Sequence, residues 1–233
     1  MRSNTYTLLF MSTITIVLGF LLSITATTLK DRQERNVEND IKKNILKCLN
    51  IPEERDQKLS ADVIQNLFTE NITGIVVDYS GNTLRELERG ELAPKRKDQL
   101  PIYTYKVNAT IKGYAIPISG KGLWSTIYGY LALEPDGNSV KGITFYKHGE
   151  TPGLGGEIEK EWFTSNFVGK RIADMKGNLI GIEVVKGKAD PGDPHQVDGI
   201  SGSTLTCKGL TRFLKEDLER YDPFFNSIRG VTE

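Results

Sequence analysis

The hydrophobic positions of the chain begin with one long apolar run near the N-terminus. No charged residue interrupts TLLFMSTITIVLGFLLSITATTL, residues 7–29. As a helix rising about 1.5 Å per residue, this run measures about 35 Å, enough to cross the hydrocarbon core of a bilayer. The apolar region of a cleaved signal peptide is shorter, roughly 7–15 residues. The pattern therefore favours a retained single transmembrane helix over 7–29, preceded by a short tail at 1–6, rather than a signal peptide.

The next segment, residues 30–73, has a helical period and is predicted to lead away from the membrane. Its first apolar stripe is Val37, Ile41, Ile45 and Leu49, spaced four apart among charged residues. Ser60 is a plausible N-cap for a second helix. The residues predicted to pack from that second helix are Val63, Ile64, Leu67 and Phe68.

From Gly74 onward the hydrophobic period changes to two, which predicts strands. The predicted strand segments are GIVVDYSGNTL, IYTYKVNATIKGYAIPI, LWSTIYGYLAL, VKGITFYKH and LIGIEVVKG, of which the first two are each interpreted as a pair. A last helix is predicted over about Leu205 to Tyr221. Helices at both ends of an antiparallel meander, without a βαβ rhythm, indicate an α+β domain over 74–233 rather than a Rossmann or flavodoxin-like fold.

Composition and charge narrow the range of possible functions. The 233 residues hold 30 basic and 30 acidic side chains, a balance that argues against nucleic acid as a partner. With no CxxC motif and only two histidines, a zinc site or an iron–sulfur cluster is not expected. Cys48 and Cys207 are interpreted as ordinary small residues, although a disulfide between them is possible. The segment ADPGDPHQVDG, residues 189–199, lacks the spacing and closing glutamate of an EF-hand calcium loop, so no metal site is predicted.

Three glycine-rich segments are candidates for chemistry: SGKGLWSTIYG at 119–129, HGETPGLGGEIE at 148–159 and VDGISGSTLTCKG at 197–209. The first is compatible with a turn and strand in which Trp124 is core. The second has too many glycines for a regular element, so its backbone is expected to approach something closely, but it lacks the GxGxxG spacing of a dinucleotide site.

The third segment carries four hydroxyl residues and has three interpretations. As a hydrolase nucleophile, Ser201 or Ser203 would need a base, for which only His148 and His195 are available, and G-x-S-x-G is absent. As a structural feature, Ser203 or Thr204 would cap the last helix. As a modification site, Thr206 would lie in the first helical turn, where free N–H groups and the helix dipole favour a phosphate.

The hydroxyl segment also carries a resemblance. SGSTLT, residues 201–206, is similar to the flavinylation pattern [S/T/D]-G-x-T-x-[S/T] of FMN-binding domains. Together with the segment from Ser119 to Glu159, the chain resembles the family of C subunits of the sodium-translocating NADH:quinone oxidoreductase. The related G subunits of the Rnf complex share the motif, but GKGLWSTIYGYLAL and HGETPGLGGEI are closer to the C subunits. Ser203 stands where alanine is frequent.

The resemblance implies a cofactor and the residues that hold it. A flavin transferase would join FMN through its phosphate to the Thr206 hydroxyl. The residues expected around the phosphate are Ser201, Gly202, Ser203, Thr204 and Leu205. The residues expected to line the isoalloxazine ring are Leu123, Trp124, Glu150, Thr151, Leu154 and Gly155.

The resemblance also implies a setting, a bacterial inner-membrane complex. The chain would be an electron-transfer subunit without an NADH site of its own, with other subunits, the flavin transferase and membrane lipid as partners. Its FMN domain would lie on the periplasmic side, although Arg2 opposite Lys30, Arg32 and Arg35 would by charge alone place it in the cytoplasm. The alternatives are a G subunit of an Rnf-type ferredoxin:NAD oxidoreductase, a stand-alone membrane-anchored FMN reductase, and a non-enzymatic solute-binding or adhesion module.

Overall fold

The computed structural model describes residues 4–51, 60–94 and 99–230, which divide into two compact units, Met1–Asp40 and Ile41–Glu233. Helix α1 spans Asn4–Cys48 and starts in the first unit. The apolar side chains of the 7–29 run are exposed, and α1 is by length and composition able to cross a membrane. The prediction of one long apolar N-terminal helix is therefore confirmed.

The second unit is built on a six-stranded antiparallel sheet with the strand order β2-β1-β3-β4-β5-β6. The strands are β1 Ile72–Val77, β2 Thr83–Glu86, β3 Leu100–Val107, β4 Thr110–Lys121, β5 Thr126–Leu133 and β6 Val140–Lys147. These strands match the first four predicted strand segments. The predicted α+β class, with an antiparallel sheet and flanking helices, is confirmed.

Helices cover both faces of this sheet. The remaining helices are α2 Ala61–Asn71, α3 Glu161–Thr164 and α4 Thr204–Arg229, with 3₁₀ turns at Gly155–Glu159 and Ser165–Phe167. Alternate residues of β5 point to opposite cores, since Leu131 joins the core under α4 and Ala132 joins the core that includes α2 and Ile45. The buried core therefore lies in two layers, one on each side of the sheet.

Helix α4 approaches strand β4 very closely, and glycines make this possible. A Cβ on Gly120 of β4 would lie 2.1 Å from Phe213 Cβ, and a Cβ on Gly209 of α4 would lie 2.6 Å from the carbonyl oxygen of Lys121. Real Cβ atoms do not approach so closely, so only glycine fits at both positions. The close packing brings the first turn of α4 beside the turn that follows β4.

Three local predictions differ from the structure. The segment LIGIEVVKG contributes only β7, Glu183–Val184, which pairs in parallel with β8, Gln196–Val197, because most of the segment runs as irregular chain. Helix α4 ends at Arg229 rather than Tyr221, and continues past Pro223 because Phe225 is buried in the core. Val63, predicted to pack, is exposed on α2.

The structure also tests the predictions made for the two cysteines and for the N-cap of α2. Cys48 and Cys207 are free, buried thiols in different core clusters, so the possible disulfide between them is absent from the structure. Ser60 caps α2 as predicted, with its hydroxyl oxygen accepting a hydrogen bond from the Val63 N–H at 3.4 Å.

Candidate functional site

The first turn of α4 carries the hydroxyl segment, and its N-cap is one of the two predicted residues, but the predicted side-chain capping bond is absent. Ser203 occupies the N-cap position, and its carbonyl accepts a hydrogen bond from the Cys207 N–H at 3.0 Å. Its side chain makes no capping bond. Instead, the Ser203 hydroxyl is buried without a hydrogen-bond partner in the structure, while Thr204 is exposed. The expectation of a side-chain cap from Ser203 is therefore wrong.

An unpartnered buried hydroxyl needs an explanation, because leaving such a group unsatisfied costs about 1–3 kcal/mol. The hydroxyl belongs to Ser203, which is only 4% exposed, at the helix end where backbone N–H groups also lack intrahelical partners. Donors of both kinds therefore collect at one point. An anionic ligand with several acceptor oxygens, such as a phosphate, satisfies this chemistry.

Thr206 lies one turn further along α4 and is 1% exposed. Its hydroxyl donates a hydrogen bond to Glu150 Oε2 at 2.7 Å. Glu150 belongs to the glycine-rich segment after β6, far from Thr206 in sequence. This bond therefore joins the second and third glycine-rich segments in one site.

Glu150 also holds the first glycine-rich segment. Its carboxylate accepts hydrogen bonds from the N–H groups of Leu123 at 3.2 Å, Trp124 at 3.0 Å and Ser125 at 3.3 Å. Burial by itself raises the pKa of Glu150, but the bonds from Thr206 and these three N–H groups outweigh it, so the net pKa lies below the ordinary value. The carboxylate is therefore ionised near neutral pH.

Glycines allow the three segments to meet around this carboxylate. A Cβ on Gly155 would lie 2.6 Å from Thr206 Oγ1, and a Cβ on Gly122 would lie 2.6 Å from Glu150 Oε1. Gly202 has a φ of +75°, and a Cβ there would lie 2.9 Å from Leu154 Cδ2. The number of glycines in these segments thus has a physical cause, the close approach of backbone to the Thr206–Glu150 pair.

Large apolar side chains lie exposed on the three segments. Trp124 is 68% exposed, which excludes the interpretation that it is a core residue. Leu123, Leu154 and Leu205 are also exposed. Exposed apolar groups concentrated on the segments around one buried polar pair indicate a surface for a flat apolar ligand or a partner.

The predicted site residues therefore fall into two groups. Hydrogen bonds join Leu123, Trp124 and Thr206 to Glu150. The backbone of Gly155 approaches Thr206, and that of Gly202 approaches Leu154, too closely to leave room for a Cβ. Ser201, Thr204 and Leu205 are exposed on the same turn, and the carbonyl of Thr151 accepts hydrogen bonds from the Leu154 and Gly156 N–H groups.

Sequence reasoning missed Gly122 and Ser125. Ser125 donates its N–H to Glu150, and its hydroxyl oxygen accepts a hydrogen bond from the Gly149 N–H at 2.6 Å. Both residues stand inside the quoted GKGLWST stretch, but nothing in the spacing indicates that their backbone faces a carboxylate.

The hydrolase interpretation has no support in the described contacts. His148 Nδ1 accepts a hydrogen bond from the Glu150 N–H at 3.2 Å, and its Nε2 lies 3.6 Å from Glu159. His195 Nδ1 lies 2.7 Å from the Arg171 carbonyl oxygen. Within the described residues, neither histidine contacts a serine of the 201–206 segment.

The aspartates of the loop at 189–199 form hydrogen bonds to backbone N–H groups of the same loop. The carboxylates of Asp190, Asp193 and Asp198 accept hydrogen bonds from the N–H groups of Gly192, His195 and Ala189. Over residues 4–51, 60–94 and 99–230, no three metal-ligating side chains converge in one place.

Comparison with known proteins identifies the class that this fold and site define. The family model of the FMN-binding domain matches residues 122–219, a range that includes the turn after β4, Glu150 and the first half of α4. The second unit of the chain thus contains an FMN-binding domain.

The curated relatives and solved structures are more specific. The chain is 32% identical to the C subunit of the Na(+)-translocating NADH-quinone reductase of Pseudomonas aeruginosa, over 98% of this chain and 97% of the relative. It is 34% identical to the C subunit of the same enzyme from Vibrio vulnificus, over 93% of this chain and 92% of the relative.

Two crystal structures have the same fold. That of the C subunit from Parabacteroides distasonis matches with a TM-score of 0.73 at 32% identity, over 84% of this chain and 96% of that one. That of Shewanella oneidensis NqrC matches with a TM-score of 0.69 at 25% identity, over 83% and 98%. The chain therefore belongs to the NqrC family, the C subunits of the Na(+)-translocating NADH-quinone reductase, as the resemblance predicted.

Proposed function

We propose that this chain is a membrane-anchored electron-transfer subunit that carries FMN covalently, through a phosphoester to Thr206, in a sodium-pumping NADH:quinone oxidoreductase complex. The observation that carries the proposal is the first turn of α4. There the SGSTLT segment places the Thr206 hydroxyl one turn from the buried, unpartnered hydroxyl of Ser203. A phosphate esterified to Thr206 would bring acceptor oxygens to a place that lacks them.

The residues at the start of α4 fit a phosphate. We assign to it as donors the hydroxyls of Ser201, Ser203 and Thr204 and the N–H groups of Gly202, Thr204 and Leu205, because the Ser203 N–H already donates to the Ile200 carbonyl oxygen at 3.1 Å. The positive end of the helix dipole favours an anion there by about 0.3–1 kcal/mol at an exposed position. The Thr206 oxygen is covered by Gly155, so the Leu154–Gly155 turn has to move aside while the ester forms.

The exposed apolar residues fit the flavin ring. We assign Leu123, Trp124 and Leu154 to the ring, with Glu150, Thr151 and Gly155 beneath them. FMN supplies the ability to pass electrons singly or in pairs, and the task of the chain is to hold and orient it. Because these side chains are exposed, a ring lying on them would be accessible to the cofactor of a partner subunit.

The names of the relatives support the setting of this chain. By analogy with them, electrons would come from NADH on another subunit and end on quinone, and this chain would conduct between its partner subunits. We assign 7–29 to the anchor, 30–73 to the helical segment that leads from it, and 74–233 to the FMN domain. We place that domain on the periplasmic side of the inner membrane, because long domains cross largely regardless of flanking charge.

Covalent attachment has a physical advantage at that location. A reversibly bound FMN outside the cytoplasm would be lost by dilution, whereas a tether keeps its effective concentration high. A tether also removes the need for deep burial of the ring. Maturation accordingly requires a flavin transferase as a partner.

The proposal is tested by fluorescence of the denatured protein. The full chain is co-expressed with a flavin transferase, separated in SDS and viewed under ultraviolet light beside Thr206→Val and a matched control, Thr211→Val, on the same helix. We expect fluorescent bands for the wild type and the control and a dark band for Thr206→Val. A dark wild-type band, with the transferase active on another acceptor, would contradict the proposal. Activity without partner membranes would instead favour a stand-alone reductase.

A further inference from the structure

The hydrogen bond from Thr206 to Glu150 determines where a proton goes when the ester forms. The Thr206 hydroxyl has one proton, which is directed at Glu150 Oε2 over an oxygen–oxygen distance of 2.7 Å. An esterified oxygen has no proton to donate. Attachment therefore has to remove this proton, and the carboxylate already accepts it in a hydrogen bond.

We propose that Glu150 acts as the general base for FMN attachment, taking the proton of Thr206 as its oxygen attacks phosphorus. This inference rests on the proposed function, the phosphoester at Thr206. The carboxylate, not a group of the transferase alone, would then make this threonine a nucleophile. Glu150 would be a catalytic residue of its own chain's modification, in addition to its assigned place beside the flavin.

The step balances with an activated flavin donor. The Thr206 Oγ1–phosphorus bond forms, and the phosphoanhydride bond of a flavin dinucleotide such as FAD breaks. AMP leaves with the electron pair, and the proton moves from Oγ1 to the Glu150 carboxylate and then to solvent. Nothing is oxidised or reduced. Free FMN would have to expel hydroxide from its phosphate, so a phosphoanhydride is the donor class that the chemistry requires.

The geometry around Glu150 suits a base. Three backbone N–H groups, from Leu123 to Ser125, fix the carboxylate, and Thr206 fills the remaining direction of Oε2. With the proton directed at Glu150, the lone pairs of Oγ1 would face a phosphorus atom once the Leu154–Gly155 turn has moved aside. An aspartate plays the same part for the substrate hydroxyl in protein kinases.

The charged residues of the neighbouring segments do not bind this carboxylate. They are His148, Glu157 and Glu159 on the neighbouring segment, Lys121 at the end of β4, and Lys208 and Arg212 on α4. Within the described part of the chain, none of them is a hydrogen-bond or ion-pair partner of the Glu150 carboxylate.

The test measures the rate of attachment. The full chain is purified from cells without transferase, then mixed with excess purified transferase and FAD. Fluorescence of the denatured band and released AMP are followed with time. Glu150→Gln keeps the size and an acceptor oxygen but loses the base, and we expect attachment about 10²- to 10⁴-fold slower. The control Glu216→Gln makes the same charge change at an exposed site on α4 and should keep the wild-type rate.

A second variant separates a base from a merely structural role. Glu150→Asp shortens the side chain but keeps a carboxylate, so its attachment should stay within about tenfold of wild type, as expected for a base that is retained but displaced. Far-UV circular dichroism checks that each variant is folded. If Glu150→Gln does not fold, the Asp variant decides, since a folded Asp variant slowed more than about 100-fold refutes a role as base.

Two results overturn the inference while leaving the proposed function intact. One is a folded Glu150→Gln variant that attaches FMN within about threefold of the wild-type rate, because a general base contributes far more than this. The other is that the Glu150→Gln and Glu150→Asp variants attach FMN equally slowly. A wild-type chain that gains no fluorescence would refute the proposed function itself.

Discussion

Gly155 lies directly against the Thr206–Glu150 hydrogen bond, so a single methyl group there tests the site. A Cβ at this position would lie 2.6 Å from Thr206 Oγ1 and 2.9 Å from Glu150 Oε2. Both distances are shorter than real Cβ contacts. In Gly155→Ala, either Thr206 has to rotate or Glu150 has to shift, and each movement breaks the bond between them.

The magnitude follows from the groups that are disturbed. A hydrogen bond to a charged group contributes about 1.5–3 kcal/mol, and forcing a methyl into a packed site adds about 1–3 kcal/mol when neighbours move. Because Glu150 keeps its three backbone donors, we expect the sum to lie near the lower ends of these two ranges, about 2.5–4 kcal/mol of unfolding free energy. Covalent FMN attachment should also fall, since the Thr206 hydroxyl is no longer held in place.

The assay is urea unfolding of the full chain in detergent, followed by far-UV circular dichroism, with attachment read from the denatured band. The matched control is Gly153→Ala on the same turn. Gly153 has a φ of +75°, but nothing lies within 4 Å of its Cβ position. The Gly153→Ala substitution should therefore lower the unfolding free energy only by the strain of a left-handed alanine, about 1–2 kcal/mol, and should leave FMN attachment unchanged. A Gly155→Ala variant within about 0.5 kcal/mol of wild type, with normal attachment, would refute the contact.

Three further predictions concern other residues of the second unit. Burial raises the pKa of Asp217 to about 6, above its unfolded value, so the folded state binds the extra proton and this group lowers stability as pH rises from about 4 to 6. The urea midpoint of Asp217→Asn should therefore rise relative to that of the wild type as the pH increases from 4 to 7. A difference between the two midpoints that stays constant with pH would contradict this. Burial raises the pKa of the Cys48 and Cys207 thiols, so iodoacetamide should label both, by mass, only in urea. Trp124→Ala should change unfolding free energy by less than about 0.5 kcal/mol while weakening the quenching of flavin fluorescence, and a large loss of stability would restore the core interpretation.

The sheet was predictable because its signal is local. Alternation in residues such as Tyr130, Leu131 and Ala132 sets which face each side chain meets, and that period can be read directly from the sequence. The end of α4 was not predictable from the same rules. Pro223 indicates a helix end, but the burial of Phe225 in the core outweighs that local preference, and tertiary packing is not visible along the chain.

The candidate site was predictable as a motif but not as a set of contacts. The hydroxyl pattern pointed to Thr206, and the glycines pointed to close backbone approach. The carboxylate that joins the three segments, Glu150, came only from the family resemblance, because no spacing rule relates it to Thr206. The unpartnered Ser203 hydroxyl had no signal at all, since a serine at a helix N-cap ordinarily accepts a bond from the helix.

The arrangement as a whole reconciles an exposed ring with a fixed position. Electron transfer to a partner needs an accessible cofactor, and the apolar residues assigned to the ring, such as Trp124, are exposed. A cofactor held only on mobile side chains would sample many positions. The residue that carries the proposed attachment atom, Thr206, is instead 1% exposed, on a helix that packs against β4 at Gly120 and Gly209 with no room for a side chain. Because the anchoring oxygen is rigid and the ring surface is open, the distance to a partner cofactor would depend on the orientation of the domain and on the reach of the ribityl phosphate between Thr206 and the ring.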